Sequence, residues 1–155
     1  LDFLLWGAMG SAASIGLGLA QVQTSRRVLV ITGDGDMAMG LGSLAAIGSA
    51  RPANLAIVVL DNEHYGETGM QPSHTGQHLD LAGVAKACGF KGTLMVRDQA
   101  GLEAALLMIH KAAGPIAVII KVNAENPPRV LPPRDGTFQK NRFRSALLGE
   151  ERAQA

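Results

Sequence analysis

Two short runs of β-branched and apolar residues, each followed by acidic or amide side chains, constrain the fold of this chain more than any other feature. The runs cover residues 27–32 and 54–60, and such runs form strands that are buried on both faces of a parallel sheet. A Gly-Asp-Gly-Asp segment, residues 33–36, follows the first run, and Asp-Asn, residues 61–62, follows the second. Because the carboxyl ends of parallel strands meet at one edge of the sheet, we expect both polar segments to lie there.

The side chains predicted at this edge are suited to a divalent cation and a phosphate. Asp34 offers a carboxylate oxygen and Asn62 an amide oxygen, which are the hard ligands that Mg²⁺ or Ca²⁺ prefers. Gly33 and Gly35 lack a Cβ atom, so the turn can be sharp and the backbone can approach a phosphate closely. Taken alone, either motif favours a purely structural interpretation, a tight turn or a polar cap, because such short motifs recur by chance. Their spacing favours a site, because residues 36–61 provide a helix, a turn and a second strand, which is one crossover unit.

The rest of the chain alternates between helix and strand, which predicts a doubly wound parallel α/β sheet with helices on both faces. A polar, Gly-rich stretch, residues 61–78, is too long for an ordinary connection and is expected to be functional. We predict a domain over residues 1–124 and, over residues 125–155, a Pro-rich C-terminal arm with a short helix. The predicted helices are 9–23, 36–50, 79–88 and 99–112, and the predicted strands are 27–32, 54–60, 93–97 and 115–122.

Composition excludes several classes of protein. The 155 residues, of which 47% are hydrophobic and 17% charged, fit one globular domain with a sizeable core. The net charge of +1 provides no electrostatic basis for binding nucleic acid or an acidic membrane surface. The sequence contains no uninterrupted stretch of 18 apolar residues, so no membrane-spanning helix is predicted. The single cysteine, Cys88, is expected to be a buried helical thiol, and its isolation favours a reducing cytoplasm.

The Gly-Asp-Gly motif followed at this distance by Asn resembles the signature of the thiamine diphosphate-dependent enzymes. The upstream segment Trp-Gly-Ala-Met-Gly-Ser, residues 6–11, adds to the resemblance. In the family, the glycine equivalent to Gly7 contacts the pyrimidine ring of the cofactor through its carbonyl group. The residue equivalent to Met9 supports the bent conformation in which the cofactor largely deprotonates itself, so the difficult chemistry belongs to the cofactor. Without this motif, Met9 would be read as a core methionine.

The segment after the second strand is similar to the Asn-x-Gly-Tyr or Asn-x-His segment of the same family. The resemblance implies that the side chains of Asp34 and Asn62 and the backbone carbonyl of His64 coordinate Mg²⁺. It implies that the residues contacting thiamine diphosphate or its metal are Gly7, Met9, Gly33, Asp34, Gly35, Asp36, Asn62, His64, Tyr65 and Gly66.

Two residues depart from the commonest family pattern. Asp61 replaces the first of two asparagines, which we expect to be harmless because the second position is the ligand. Asp36 stands where a small hydroxyl residue is frequent, and an acid beside a diphosphate is unfavourable. We therefore expect the backbone N–H of Asp36 to face the phosphate, while its carboxylate turns outward or caps the following helix.

The stretch 61–78 is predicted to carry the substrate-facing groups, since it directly follows the metal-binding asparagine. His74 is the candidate catalytic residue, because a histidine near neutral pH can pair with an anionic group or shuttle a proton. A solvated histidine in a polar loop is the simpler alternative. Further substrate-contacting candidates are Glu67, Thr68 and Gln71, whereas His78 and His110 are expected to be surface residues.

The resemblance covers residues 7–122 and includes the diphosphate-binding half of a thiamine diphosphate enzyme. It implies that a separate pyrimidine-binding alpha subunit completes each active site, and hence a hetero-oligomer. Residues 9–18 and 65–71 are most similar to decarboxylases of the sulfopyruvate and phosphonopyruvate type. In those enzymes a small 2-oxo acid with an anionic tail loses CO₂ and gives an aldehyde.

Three alternatives stay open from the sequence. One is an acetolactate synthase-like carboligase or decarboxylase for another 2-oxo acid. Another is the beta subunit of a 2-oxo acid oxidoreductase, which is disfavoured because one cysteine cannot ligate an iron–sulfur cluster. The third is a regulatory module, not an enzyme, that binds Mg-diphosphate. The Gly7-x-Met9 motif argues against this module, since a simple diphosphate has no use for it.

Overall fold

The computed structural model describes residues 2–128 and 130–154. Residues 9–125 form one compact unit, and the remaining described residues at the two ends of the chain form another. None of the helices in this described part is long and apolar enough to cross a membrane. The boundary that the sequence predicts between residues 124 and 125 stays a prediction.

The first unit contains a four-stranded parallel sheet and a two-stranded hairpin. In the sheet, the strand order is β1-β2-β6-β5 and every neighbouring pair is parallel, while β3 and β4 pair in antiparallel fashion. The strands are β1 (Val28–Gly33), β2 (Leu55–Asp61), β3 (His64–Tyr65), β4 (Gln71–Pro72), β5 (Gly92–Val96) and β6 (Ile116–Lys121).

Helices connect the parallel strands and cover both faces of the sheet. Five α-helices and a short 3₁₀ helix belong to the first unit, and two α-helices belong to the second. The former are α1 (Ala12–Val22), α2 (Asp34–Met39), α3 (Ser43–Ala50), the 3₁₀ helix His74–Gly76, α4 (Leu81–Ala87) and α5 (Gln99–Lys111), and the latter are α6 (Gly136–Leu148) and α7 (Glu150–Gln154).

Strand β2 shows why the sheet needs helices on both sides. Successive side chains of a strand point to opposite faces, and all residues from Leu55 to Val59 are buried. Leu55, Ile57 and Val59 pack in one core with residues of α1 to α4, whereas the intervening Ala56 and Val58 pack in a second core with α5. The predicted doubly wound α/β fold is therefore confirmed.

The prediction of one continuous helix over residues 36–50 is wrong. The chain forms α2, leaves the helical conformation around Gly40, and begins α3 at Ser43. A Cβ atom at Gly40 would lie 2.1 Å from the carbonyl oxygen of Gly10, so the backbone of the loop before α1 lies directly against this break. The stretch 61–78 likewise differs from an open loop, because it contains the β3–β4 hairpin and the 3₁₀ helix.

Cys88 lies just beyond the C-terminal end of α4 and is partly buried, so the expected buried helical thiol is also wrong. The reason is that α4 ends at Ala87 and the chain turns at Gly89, which has a φ of +90°. The carbonyl of Cys88 lies against Gly48 of α3: a Cβ atom at Gly48 would be 1.7 Å from its oxygen.

In the second unit, the C-terminal helix packs on the N-terminal segment. Arg142 of α6 forms an ion pair with Asp2 at 2.7 Å, and the rings of Phe3 and Phe143 meet edge to face with centroids 5.3 Å apart. The carboxylate of Asp135 caps α6 by accepting hydrogen bonds from two backbone N–H groups. The sequence predicts one short helix in the arm, but the structure has α6, of thirteen residues, and α7, of five.

Two glycine-to-alanine substitutions test the packing of α3 on the turn after α4. Gly48→Ala should destabilise the protein by about 2 kcal/mol, because the new methyl group meets backbone that cannot move cheaply. Gly18→Ala in α1 is the matched control, since a Cβ there meets nothing within 4 Å and should stabilise the helix by about 0.5–1 kcal/mol. Urea denaturation measures both, and equal effects at the two positions would contradict the packing.

Candidate active site

The two predicted polar segments lie at the same edge of the sheet. Strands β1 and β2 are parallel neighbours, and Gly33 is paired with Leu60 at their carboxyl ends. Asp34 begins α2 directly after β1, while Asp61 ends β2 and Asn62 follows it. The fold therefore brings the predicted ligand-bearing turns to adjacent strand ends.

Asp34 is a buried carboxylate, 2% exposed. Its Oδ2 atom accepts hydrogen bonds from the hydroxyl groups of Ser73 and, at 3.0 Å, Thr75. Over residues 2–128 and 130–154, no basic side chain pairs with Asp34 and no hydrogen bond reaches its Oδ1 atom. Among the described residues, Ser43 Oγ alone is a fully buried side-chain atom without a hydrogen-bond partner, so Asp34 Oδ1 is accessible to solvent. A cation could reach this oxygen atom.

The two hydroxyl groups beside Asp34 have fewer protons than the hydrogen bonds that their positions suggest. Thr75 Oγ1 also lies 2.7 Å from Asp61 Oδ1 and 2.9 Å from Ser73 Oγ. A hydroxyl group donates one proton, so Thr75 can satisfy either Asp34 or Asp61 at one time. Asp61 also pairs with Lys121 and accepts a hydrogen bond from the backbone N–H of Glu63, so the shortage of donors falls on Asp34.

Asn62 lies in a tight turn that its own side chain stabilises. Its Oδ1 atom accepts a hydrogen bond of 3.0 Å from the backbone N–H of His64, and its carbonyl oxygen is 2.9 Å from His64 Nδ1. Glu63, between them, has a φ of +63°, which a residue with a side chain adopts rarely. An amide oxygen has two lone pairs, so Asn62 Oδ1 keeps one for a cation.

Lys121 pairs with the acidic residues on both sides of Asn62. Its Nζ atom is 2.8 Å from Asp61 Oδ2 and 2.5 Å from Glu63 Oε1. Burial alone would lower the pKa of Lys121, but its hydrogen bonds and charge attraction to Asp61 and Glu63 outweigh burial and raise the pKa above its usual value. Asp61, 1% exposed, is therefore paired, which explains how an acid is accommodated at this position.

The carboxylate of Asp36 neither turns outward nor caps the following helix, so that expectation is wrong. Its Oδ1 atom accepts a 2.6 Å hydrogen bond from the backbone N–H of Gly10, and its Oδ2 atom accepts one from the hydroxyl of Thr32. Both donors lie close because the end of β1 and the loop before α1 meet there. Both carboxylate oxygens of Asp36 are therefore hydrogen-bonded within the protein. The predicted contact between the backbone N–H of Asp36 and a phosphate stays a prediction.

Tyr65 connects the Gly-Asp-Gly turn to His74. A Cβ atom at Gly35 would lie 2.5 Å from the ring of Tyr65, so the ring packs directly on the glycine backbone. The hydroxyl of Tyr65 is 3.2 Å from His74 Nδ1. His74 is exposed at the start of the 3₁₀ helix, which places an accessible imidazole beside the turn.

The remaining predicted residues occupy more open positions. Glu67, Thr68 and Gln71 are exposed in the β3–β4 hairpin, which also contains Gly66, and the hydroxyl of Thr68 donates to Gln71 Oε1 at 3.0 Å. Met9 is 51% exposed just before α1. Gly7, which belongs to the second unit, has a φ of +63°. The expected surface positions of His78 and His110 are confirmed.

Comparison with known proteins agrees with this geometry. Residues 1–120 match the family model described as thiamine pyrophosphate enzyme, C-terminal TPP binding domain. The chain belongs to the thiamine pyrophosphate enzyme family. It resembles the crystal structure of benzoylformate decarboxylase from Polynucleobacter necessarius with a TM-score of 0.62 and 25% identity, over 80% of this chain and 25% of that one.

Relatives in this family include two types of decarboxylase. Sulfopyruvate decarboxylase subunit beta of Methanocaldococcus jannaschii is 49% identical over 88 residues, which cover 57% of this chain and 46% of that protein. Phosphonopyruvate decarboxylase of Streptomyces viridochromogenes is 41% identical over 120 residues, covering 77% and 30% respectively. The chain thus spans less than half the length of these curated relatives.

Three polar residues of this thiamine pyrophosphate-binding domain were missed by the sequence analysis. Ser73 and Thr75 flank His74 and contact Asp34, but hydroxyl residues in a polar stretch carry no distinctive signal. Lys121 carried a signal that could have been used, because it ends an otherwise apolar buried strand. Because β6 is parallel to β2, its carboxyl end lies at the same edge of the sheet as Asp34 and Asn62.

A concave surface lined by uncharged residues lies near the amino-terminal ends of β1 and β2, away from Asp34 and Asn62. Its lining residues are Ala20, Gln21, Thr24, Ala50, Pro52, Ala53 and Asn54.

Proposed function

We propose that this chain is the diphosphate-binding subunit of a split thiamine diphosphate-dependent 2-oxo acid decarboxylase, of the sulfopyruvate or phosphonopyruvate type. The observation that carries this proposal is the buried carboxylate of Asp34, which lies beside the Asn62 turn and has an oxygen atom available for a cation. Similarity to decarboxylases of both types supports the choice of reaction.

The residues present fit Mg²⁺ and the diphosphate group. Asp34 and Asn62 would bind the metal through side-chain oxygens and His64 through its backbone carbonyl, and hard oxygen donors of this kind suit Mg²⁺. The glycine turn at residues 33–35 gives a phosphate access to the backbone. Met9 would support the bent conformation of the bound cofactor. When bound, thiamine diphosphate supplies the C2 carbanion that adds to the 2-oxo acid and the electron sink for decarboxylation.

The exposed hairpin and the 3₁₀ helix would hold the substrate. Tyr65 orients His74 through its hydroxyl, so the free Nε2 atom of His74 can donate a proton as general acid or pair with the anionic tail. Glu67, Thr68 and Gln71 would border the tail group. The exposed position of all four side chains in this unit leaves room for a 2-oxo acid to enter.

A pyrimidine-binding alpha subunit would complete the active site, which makes the enzyme a hetero-oligomer. The name of the Methanocaldococcus jannaschii relative, a subunit beta, supports this division into chains. A cytoplasmic location fits the single cysteine.

The test of the proposal is a decarboxylation assay with the partner subunit, thiamine diphosphate and Mg²⁺ supplied. We expect CO₂ and an aldehyde from sulfopyruvate or phosphonopyruvate, and much slower turnover of pyruvate, because pyruvate lacks the anionic tail. Formation of an acetohydroxy acid, or 2-oxo acid oxidation that reduces ferredoxin, would instead support one of the alternative activities. Absence of turnover of every 2-oxo acid in a complex that binds the cofactor would contradict the decarboxylase.

Substitution of His74 tests the proposed catalytic role. His74→Ala should lower kcat at least tenfold, which is about 1.4 kcal/mol in the barrier, without changing the affinity for thiamine diphosphate. His78→Ala is the matched control, because His78 is also exposed in the same stretch and should leave kcat unchanged. Wild-type kinetics for His74→Ala on the preferred substrate would remove His74 from the site.

A further inference from the structure

Lys121 occupies a position that none of the family motifs explains. It ends the buried strand β6 and is paired in register with Asp61 at the end of β2. From there its ammonium group reaches Asp61 and Glu63, the two neighbours of Asn62 in the chain. Asn62, the candidate metal ligand, thus lies between two acidic residues that both pair with the ammonium group of Lys121.

We propose that Lys121 is a positioning residue that holds the Asn62 turn in its metal-binding geometry by pairing with Asp61 and Glu63. This inference rests on the proposed function, since it concerns the same Mg²⁺ site. Lys121 does not touch the metal in this account. It acts through the residues on either side of the ligand.

The backbone of Glu63 shows why the turn needs support. The left-handed conformation is unfavourable for a residue with a side chain, and it persists where the surroundings hold the residue in place. Glu63 has a φ of +63°, and three interactions hold it there. Its carbonyl oxygen accepts a hydrogen bond of 2.7 Å from the backbone N–H of Ser73. Its N–H donates to Asp61 Oδ1 at 3.1 Å, and its carboxylate pairs with Lys121.

The same interactions link Asn62 to the second metal ligand. Asp61 binds Lys121 through Oδ2, whereas its Oδ1 atom faces both Glu63 N–H and the hydroxyl of Thr75. Thr75 in turn contacts Asp34 at 3.0 Å. A fixed Asp61 therefore defines the positions of both ligand-bearing segments, and the ammonium group of Lys121 holds this carboxylate in place.

A positioning role predicts a change in metal selectivity. Mg²⁺ requires near-ideal octahedral geometry, whereas Ca²⁺ accepts variable geometry and longer bonds. A site that loses its support should therefore lose affinity for Mg²⁺ more than for Ca²⁺. General damage to the protein would weaken both ions alike.

The test uses Lys121→Met in the complete enzyme with its partner subunit. Calorimetric titration in the presence of thiamine diphosphate should show Mg²⁺ binding weakened by about tenfold or more, the usual effect of removing a group that orients a metal ligand. The ratio of Mg²⁺ to Ca²⁺ affinity should fall. Hydrogen exchange of the Glu63 and His64 amides, measured without cofactor or metal, should accelerate.

Three further variants control the experiment. Lys91→Met removes an exposed lysine in the same unit and should change none of these quantities. Lys121→Arg keeps the positive charge and should retain most of the wild-type affinity for Mg²⁺. Glu63→Gln breaks one of the two pairs while leaving the half-exposed side chain in place, so it should give a smaller shift in the same direction even if Lys121→Met fails to fold.

The outcomes separate this inference from the proposed function. Wild-type protein that binds neither thiamine diphosphate nor Mg²⁺ would contradict the function, while the exchange rates would still test whether Lys121 holds the turn. The positioning role would be overturned if the wild type binds the cofactor normally and the variants behave like it. In that case, Glu63→Gln and folded Lys121→Met would show unchanged Mg²⁺ selectivity and unchanged hydrogen exchange of the Glu63 and His64 amides.

Discussion

The need to compensate buried carboxylates determines what this edge of the sheet can do. Asp36 is satisfied by Gly10 N–H and the Thr32 hydroxyl, and Asp61 is satisfied by the ammonium group of Lys121. Asp34 receives hydroxyl contacts that it partly shares with Asp61. Asp34 is the one of the three aspartates with a carboxylate oxygen, Oδ1, that accepts no hydrogen bond from the described residues. The proposed metal site follows from this difference in hydrogen bonding and charge pairing among the three aspartates.

The parallel sheet makes this arrangement possible. Strand β2 is buried on both faces over Leu55 to Val59, whereas β1 exposes Leu29 and Ile31 on one face, so the expected burial of both faces is wrong for β1. The polar groups of the site follow the strand ends, where β1, β2 and β6 terminate side by side. The turns that follow can then place Asp34, Asn62 and Lys121 within one small region. Stability comes from the apolar cores on the two faces of the sheet, while the polar edge is free to serve binding.

Much of this could be predicted from the sequence, because local patterns determine it. The β-branched runs predict β1 and β2, and the parallel arrangement then brings Asp34 and Asn62 to one edge. The break after α2 could not be predicted, since it arises where Gly40 meets the backbone of Gly10, thirty residues earlier in the chain. The orientation of Asp36 also depends on that distant contact. Pairing of Lys121 with Asp61 depends on the register of β2 and β6, which the sequence does not specify.

Binding of thiamine diphosphate, compared with ADP, tests the central claim most directly. In calorimetric titrations of the protein with its partner subunit, we predict Mg²⁺-dependent binding of thiamine diphosphate and much weaker binding of ADP. Asp34→Ala should abolish the Mg²⁺-dependent part while far-ultraviolet circular dichroism stays unchanged. Equal affinity for the two ligands, or unchanged Mg²⁺-dependent binding of thiamine diphosphate by Asp34→Ala, would contradict the account.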